Sequence, residues 1–125
     1  MLQKIKVEVL MSVMHQDGFD IAYRTSIDSD LLIINQCDKD DYQEIIVNGH
    51  LWRMISTTER GLSKSRNMAL KNIKGDICLL CDDDERLVNN YASKIEKAYV
   101  ELPDAVAIVF NVKRINNKLK KKSTI

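Results

Sequence analysis

The sequence predicts an α/β domain of three layers, in which a mainly parallel β-sheet lies between helices. Short apolar runs of strand length alternate along the chain with segments whose apolar residues recur at helical spacing. Because parallel strands need crossover connections, this alternation indicates right-handed βαβ units. The 125 residues are enough for a single core, and 45% apolar with 30% charged residues is an ordinary globular composition.

Hydrophobic periodicity and turn signals predict nine elements. Their expected bounds, in chain order, are strand 5–13, helix 19–27, strand 31–34, strands 44–47 and 51–55, helix 61–74, strand 76–81, helix 88–102 and strand 105–110. An alternating stretch that turns apolar predicts the first strand, and Asp17-Gly18 is a turn signal before the first helix. Asn48-Gly49 accepts the positive φ angles of a tight turn, so we expect the fourth and fifth elements to form a hairpin.

The second half of the chain alternates helices with strands. The second helix is expected to have one apolar face, made by Leu62, Ala69, Leu70 and Ile73. Gly75 is expected as its C-terminal stop. The buried strand that follows leads directly into a run of aspartates. Pro103 ends the third helix, and the apolar run after it is expected to be a fourth core strand.

Charge is unevenly distributed along the chain. The whole chain carries +1, but residues 113–125 contain six Lys or Arg and no acid, so residues 1–112 carry −5. This balance excludes the strongly basic surface of a nucleic-acid-binding domain. Gly and Pro together number only five, so we expect one domain over 1–112 without a flexible linker. We expect residues 113–125 to be a solvated basic tail. The alternative is that this tail contacts anionic lipid or nucleic acid, and we expect any contact with a membrane to be peripheral at most.

The sequence predicts neither a membrane span nor a secreted, disulfide-stabilised fold. Its longest apolar run has six residues, against the roughly 20 that a spanning helix needs. The N-terminal stretch has no small-residue cleavage pattern, so we expect no signal peptide. Three cysteines, Cys37, Cys78 and Cys81, are an odd and small number for a disulfide framework, which indicates a reducing, cytoplasmic location.

A run of carboxylates, Asp82-Asp83-Asp84-Glu85, follows a predicted buried strand. Four adjacent carboxylates repel one another, and a divalent cation such as Mg²⁺ or Mn²⁺ would remove that conflict by taking hard oxygen ligands. If the backbone stays extended, Asp82 and Asp84 lie on the same side and Asp83 on the other. The alternative interpretation is an acidic first turn of the helix that follows.

The segment Gly61-Leu62-Ser63-Lys64-Ser65-Arg66-Asn67 opens the helix that precedes this strand. Gly and Ser at a helix entry leave backbone N–H groups available, and Lys64 and Arg66 add two cations, which together suit a phosphate. The alternative is a capped helix with a solvated basic face. An anion-accepting helix beside a metal-binding strand end would fit a nucleoside diphosphate, because the metal neutralises the phosphates while an Arg binds them.

The stretch GLSKSRNMALKNIKGDICLLCDDDE resembles a segment of the family 2 glycosyltransferases with the outline G-x-S-x-A-R-N, then a strand, then D-x-D. VEVLMSVMHQ is similar to the first nucleotide-binding strand of that family, and DLLIINQCDKDD is similar to the second. The resemblance covers about residues 5–112. It implies a GT-A fold, a nucleotide-diphosphate sugar as donor, and Mg²⁺ or Mn²⁺ as cofactor.

The resemblance also implies which residues form the donor site. Asp84 and Asp82 would coordinate the metal. The residues that would bind the nucleotide sugar are Ser12, Val13, Met14, Asn35, Arg66, Asp82 and Asp83. Asn35 stands where the family usually has an aspartate that hydrogen-bonds the base, and because an amide both donates and accepts, the base preference stays open. Ser12 stands where the family commonly has proline.

Members of this family are longer, and their later half supplies the acceptor site and the carboxylate base. We therefore expect a truncated GT-A fold that comprises the donor-binding half, with the catalytic base outside it. The acceptor would be a sugar or a lipid-linked glycan, in the synthesis of cell-surface polysaccharide or glycoconjugates. The alternatives are a non-catalytic remnant that binds a nucleotide or a partner protein, and an unrelated metal-binding α/β domain. Apolar surface left on the sheet would favour a homodimer or association with a second chain.

Overall fold

The computed structural model describes residues 5–102, 104, 109–111 and 122–124. Among these residues the strands are β1 (Val7–Met14), β2 (Asp30–Gln36), β3 (Asp41–Val47), β4 (His50–Thr57), β5 (Ile77–Cys81), β6 (Val109–Asn111) and β7 (Lys122–Thr124). The helices are α1 (Asp20–Arg24), α2 (Leu62–Lys71) and α3 (Tyr91–Glu101). Every element predicted within 5–102 is present, although several begin or end at other residues.

One mixed sheet contains β1 to β5, in the order β3-β4-β2-β1-β5. β1 pairs in parallel with β2 and β5, and β2 pairs in parallel with β4. β3 is antiparallel to β4 and forms one edge of the sheet. The prediction of a mainly parallel sheet is confirmed. Because the four parallel strands end on the same side, the residues that follow β1, β2, β4 and β5 share one edge, here called the carboxyl edge.

Helices cover both faces of this sheet. On one face, side chains of the parallel strands pack with α1 and α3; the buried members of this core are Val7, Val9, Met11, Val13, Phe19, Ile21, Ala22, Ile27, Leu31, Ile33, Trp52, Met54, Leu79, Cys81, Tyr91 and Ile95. On the other face, Ala69 of α2 packs with Leu10, Leu32 and Ile34. The predicted three-layer architecture is therefore confirmed, and α2 is the helix that shares a face with the even-numbered residues of β1.

The predicted hairpin is also confirmed. β3 and β4 are joined by Asn48 and Gly49, whose φ angles are 51° and 80°. Two consecutive residues with positive φ make the tight turn that matches the twist of antiparallel strands, and Asn-Gly is the residue pair that adopts it at least cost.

The second helix ends earlier than predicted, and Gly75 is not its stop. α2 ends at Lys71, and the carbonyl of the next residue, Asn72, accepts a hydrogen bond of 2.8 Å from Arg53 Nη2. Gly75 lies instead against β1, where an added Cβ would stand 2.6 Å from the Cβ of Glu8. Non-bonded carbon atoms do not approach so closely. Glycine is therefore required here by close backbone packing and not by a helix cap.

The other two helices are shorter than predicted. α1 has only five residues, and α3 begins at Tyr91 rather than at Val88. Asn90 has a φ of 61°, a left-handed conformation that a right-handed helix cannot include, so the segment before it stays outside the helix.

The last predicted strand does not join the main sheet within the described residues. Its described residues, Val109 and Phe110, belong to β6, which pairs antiparallel with β7 in a separate two-stranded sheet. The rest of that prediction, residues 105–108, lies outside the described residues. β7 falls within the basic segment 113–125, most of which is likewise not described, so the predicted boundary at residue 112 stays a prediction. Among the described residues, no helix has both the length and the apolar character that a membrane crossing requires.

Candidate functional site

Three of the predicted site residues meet in a small cavity at the carboxyl edge. Ser12 comes from β1, Arg66 from α2 and Asp82 from the segment after β5. The cavity, here called the edge cavity, has a volume of about 40 Å³ and is lined by Leu10, Ser12, Leu62, Arg66, Ala69, Leu80, Cys81 and Asp82. Such a volume holds only one or two water-sized groups. A nucleotide would therefore lie mainly on the open edge, with a small polar group in the cavity.

Hydrogen bonds from two neighbouring strands hold the first turn of α2 in place. Ser65 Oγ donates to Ser12 Oγ at 2.6 Å, and Ser65 is only 2% exposed. Gln36 Nε2 donates to the carbonyl of Gly61 at 2.9 Å. Gly61, with a φ of 113°, precedes the helix and supplies no side chain to cap it. The N-terminal turn of α2, with its partial positive charge, is therefore fixed beside the ends of β1 and β2.

The serine and glutamine that hold α2 were missed by the sequence analysis. Ser65 lies four residues before Ala69, which faces the sheet, so helical spacing places the two side chains on one face. Gln36 ends β2 in register with Met14. Position in the periodic pattern could have found both residues as sheet-facing, but nothing local indicates which partners they bind.

The carboxylates after β5 form a closed turn and not an extended strand. The backbone N–H of Glu85 donates to the carbonyl of Asp82 at 3.1 Å, and the N–H of Asp82 donates to Glu85 Oε1 at 2.9 Å. We call Asp82–Glu85 the acidic turn. The expectation that Asp82 and Asp84 share one side of an extended strand is wrong, because β5 ends at Cys81. The alternative of an acidic helix start is also wrong, because the first turn of α3 contains no acid.

The acidic turn suits a metal ion that is shared with a phosphate ligand. Asp82, Asp83 and Asp84 are all exposed. Among the residues that the structure describes, no group of three or more His, Cys, Asp or Glu side chains converges on a point where it could hold a metal. Mg²⁺ and Mn²⁺ need no such group, because they commonly take one or two carboxylates and complete their shell with phosphate oxygens and water.

The other predicted site residues, Val13, Met14 and Asn35, do not line the edge cavity. Val13 is buried in the core with α1 and α3, on the face opposite Ser12. Met14 is 51% exposed at the carboxyl edge. Asn35 lies at that edge too but is only 1% exposed, and its amide is bonded to the backbone of Gln16. Met14 is thus accessible to a ligand, whereas Val13 is buried in the core and is not.

A larger cavity, of about 380 Å³, lies at the opposite edge of the sheet. Its lining includes Asp28, Asp30, His50 and Tyr91, near the starts of β2, β4 and α3. None of the predicted site residues lines it. Parallel α/β sheets bind ligands beyond the carboxyl ends of their strands, so position favours the smaller edge cavity over the larger one.

Burial, followed by the nearby carboxylates of the acidic turn, raises the pKa of the Cys81 thiol from 9.0 to about 12. The folded protein then keeps this proton above pH 9, while the unfolded chain loses it, so folding becomes less favourable as pH rises. We expect the contribution of Cys81 to the free energy of unfolding to fall by up to about 1.4 kcal/mol per pH unit above pH 9. Urea unfolding of wild type and Cys81→Ala at pH 8 and 10, values chosen on either side of the unfolded pKa, measures it. Equal pH dependence in the two proteins would contradict the raised pKa.

The chain matches the model of a known family, described as Glycosyl transferase family 2, over residues 6–125. It therefore belongs to glycosyl transferase family 2 and is a glycosyltransferase domain, as its resemblance to that family implied. The mixed sheet with flanking helices is consistent with a GT-A-type α/β fold. A search of curated proteins and a search of solved structures each find no match. Family membership removes the alternative of an unrelated metal-binding domain.

Proposed function

We propose that this domain binds a nucleotide-diphosphate sugar together with Mg²⁺ or Mn²⁺ at the carboxyl edge, as the donor for sugar transfer to an acceptor hydroxyl. The observation that supports this proposal most strongly is the edge cavity, in which Ser12, Arg66 and Asp82 meet beside the acidic turn. A cation, an anion-binding helix start and exposed carboxylates within one small region match the charge pattern of a metal-bound diphosphate.

In this proposal Asp84 and Asp82 hold the metal ion, and Asp83 contacts the nucleotide sugar. When bound, the cation neutralises the diphosphate and stabilises it as a leaving group. Without the cation, the acidic turn would repel the diphosphate, because both carry negative charge. Nucleotide binding should therefore depend on the metal.

Arg66 binds the diphosphate oxygens from the side of α2. Its guanidinium offers paired N–H donors that fit phosphate oxygens, and a fixed positive charge offsets the charge that develops on the departing diphosphate. The Ser12–Ser65 hydrogen bond keeps the first turn of α2 against β1, and Arg66 follows Ser65 directly. Met14, exposed beyond Ser12, contacts the base.

The acceptor belongs to the same proposal. We infer a sugar or lipid-linked glycan, in cell-surface polysaccharide or glycoconjugate synthesis. The three cysteines are unpaired, which supports a reducing, cytoplasmic location.

Arg66→Ala tests the role of the helix. We expect it to weaken the binding of the preferred nucleoside diphosphate in Mn²⁺ by about 10- to 100-fold, because a charge-assisted hydrogen bond pair is lost. Isothermal titration calorimetry of wild type and variant measures the two dissociation constants. Lys64→Ala is the matched control, since Lys64 is an exposed cation on the same turn but does not line the edge cavity. Equal weakening by both variants would show a general charge effect and would contradict a specific role for Arg66.

A further inference from the structure

We propose that Asn35 is a positioning residue that locks the loop between β1 and α1 under the nucleotide, and that it does not read the base. This inference rests on the proposed function, because the nucleotide would lie on that loop. Asn35 is the last residue but one of β2, which lies between β1 and β4, and it is in register with Val13 and Ser56. Its side chain extends to the backbone of the β1–α1 loop and not to open solvent.

The amide of Asn35 has few groups left for a ligand. Nδ2 donates to the carbonyl of Gln16 at 2.7 Å and to Ser56 Oγ at 3.2 Å, which uses both of its protons. Oδ1 accepts from the backbone N–H of Gln16 at 2.9 Å. Asn35 is also only 1% exposed. A base could reach this amide only after the pair with Gln16 had opened.

The two hydrogen bonds between Asn35 and the backbone of Gln16, here called the lock, hold a loop whose backbone has an unfavourable conformation. His15 has a φ of 53°, which is uncommon for a residue with a side chain. Its N–H donates to the carbonyl of Gln36 at 3.0 Å, so the loop folds across the end of β2. Together with the two-point pair between Asn35 and Gln16, this bond fixes the chain directly after Met14. The loop therefore presents a fixed surface at the carboxyl edge.

An ionised aspartate at position 35 could still accept from the N–H of Gln16, but it would lose the bonds that Asn35 Nδ2 donates to the carbonyl of Gln16 and to Ser56. A carboxylate has no proton to donate, so it would place an anionic oxygen against the carbonyl of Gln16. A protonated carboxyl group would donate there and restore the pair. Burial would raise the pKa of that carboxyl, so its protonated form is accessible at mildly acid pH. The groups bonded to Asn35, the backbone of Gln16 and Ser56, do not titrate. The titratable residues His15 and Asp17 flank Gln16, and Cys37 lies two residues after Asn35.

The test combines two measurements on Asn35→Asp and Asn35→Ala. The first is the hydrogen-exchange protection of the Gln16 amide, followed by NMR without ligand. The second is the affinity for uridine, guanosine and adenosine diphosphates with Mn²⁺. At about pH 7.5 we expect both variants to lower the protection and to weaken all three nucleotides about tenfold and by a similar factor. At about pH 5 Asn35→Asp should return toward wild type while Asn35→Ala does not, because only the acid regains a donor.

The outcomes separate the possible explanations. A change in the ranking of the three nucleotides with Asn35→Asp would show that residue 35 reads the base and would overturn the proposal. Unchanged protection of Gln16 in both variants would also overturn it. If wild type bound no nucleotide, the proposed function would fail, while the exchange measurement would still decide whether the lock exists. Asn48→Asp, at the hairpin turn on the far edge, controls for the added charge.

Discussion

Replacing Asp84 by alanine is expected to lower the affinity for the preferred nucleoside diphosphate in Mn²⁺ by about 100-fold or more, because a carboxylate ligand of the metal is lost. Asp84 is exposed on the acidic turn. Substitutions of exposed side chains usually change stability by no more than about 0.5 kcal/mol, so the fold should be retained. Titration calorimetry in the presence and absence of Mn²⁺ measures the loss.

The same experiment contains its own control. In the variant, addition of Mn²⁺ should no longer increase nucleotide affinity, whereas in wild type it should. Asp28→Ala removes another exposed carboxylate, from the loop before β2 at the opposite edge of the sheet, and should leave both affinities as in wild type. If Asp84→Ala bound the nucleotide with wild-type affinity, Asp84 would not be a ligand of the metal. If Asp84→Ala and Asp28→Ala lost affinity equally, the loss would indicate only a change in net charge.

Replacing Glu8 by alanine is expected to destabilise the fold by about 3–5 kcal/mol, because it leaves the charge of a buried arginine without its partner. Glu8 Oε2 accepts a hydrogen bond of 2.8 Å from Arg53 Nη2, and both side chains are almost fully buried. Its other oxygen accepts from the backbone N–H groups of Lys74 and Gly75, at 2.7 and 3.1 Å. The substitution thus leaves the charge of Arg53 without its partner and two unsatisfied backbone donors just before β5.

Urea unfolding measures this loss against a surface control. Arg60→Ala removes an exposed ion pair with Asp38, at 3.4 Å, and should cost about 1 kcal/mol or less. Glu8→Gln keeps the shape and one acceptor oxygen, so it should cost less than Glu8→Ala and provides a folded variant if the alanine protein does not fold. A loss from Glu8→Ala no larger than that from Arg60→Ala would show that the buried pair contributes little.

Local sequence signals were sufficient to predict the order of the helices and strands within residues 5–102 and the mainly parallel sheet. The parallel strands are short apolar runs, the hairpin has an Asn-Gly turn, and these patterns depend only on neighbours in the chain. The predicted helix and strand order, together with the handedness of βαβ units, then fixes where the strands end. For this reason the sequence alone predicts Ser12, Arg66 and Asp82 at one edge of the sheet.

Contacts between residues distant in sequence could not be predicted in this way. Gly75 has the position of a helix stop, but its role is set by Glu8, which is 67 residues earlier in the chain. The turn at Asp82 depends on a side-chain bond from Glu85 that an alternating pattern does not indicate. The pairing of Asn35 with Gln16 likewise follows from the register of two strands.

Thermal unfolding of the wild-type protein, with each of four nucleoside diphosphates and with or without Mn²⁺, tests the coupling of metal and nucleotide most directly. The four are the uridine, guanosine, adenosine and thymidine diphosphates. A ligand at about 100 times its Kd stabilises a protein by about 2.7 kcal/mol, which raises Tm by several degrees for a domain of this size. We expect such a rise with at least one nucleotide, and only when Mn²⁺ is present. No rise with any nucleotide, or an equal rise without the metal, would contradict a metal-dependent donor site at the carboxyl edge.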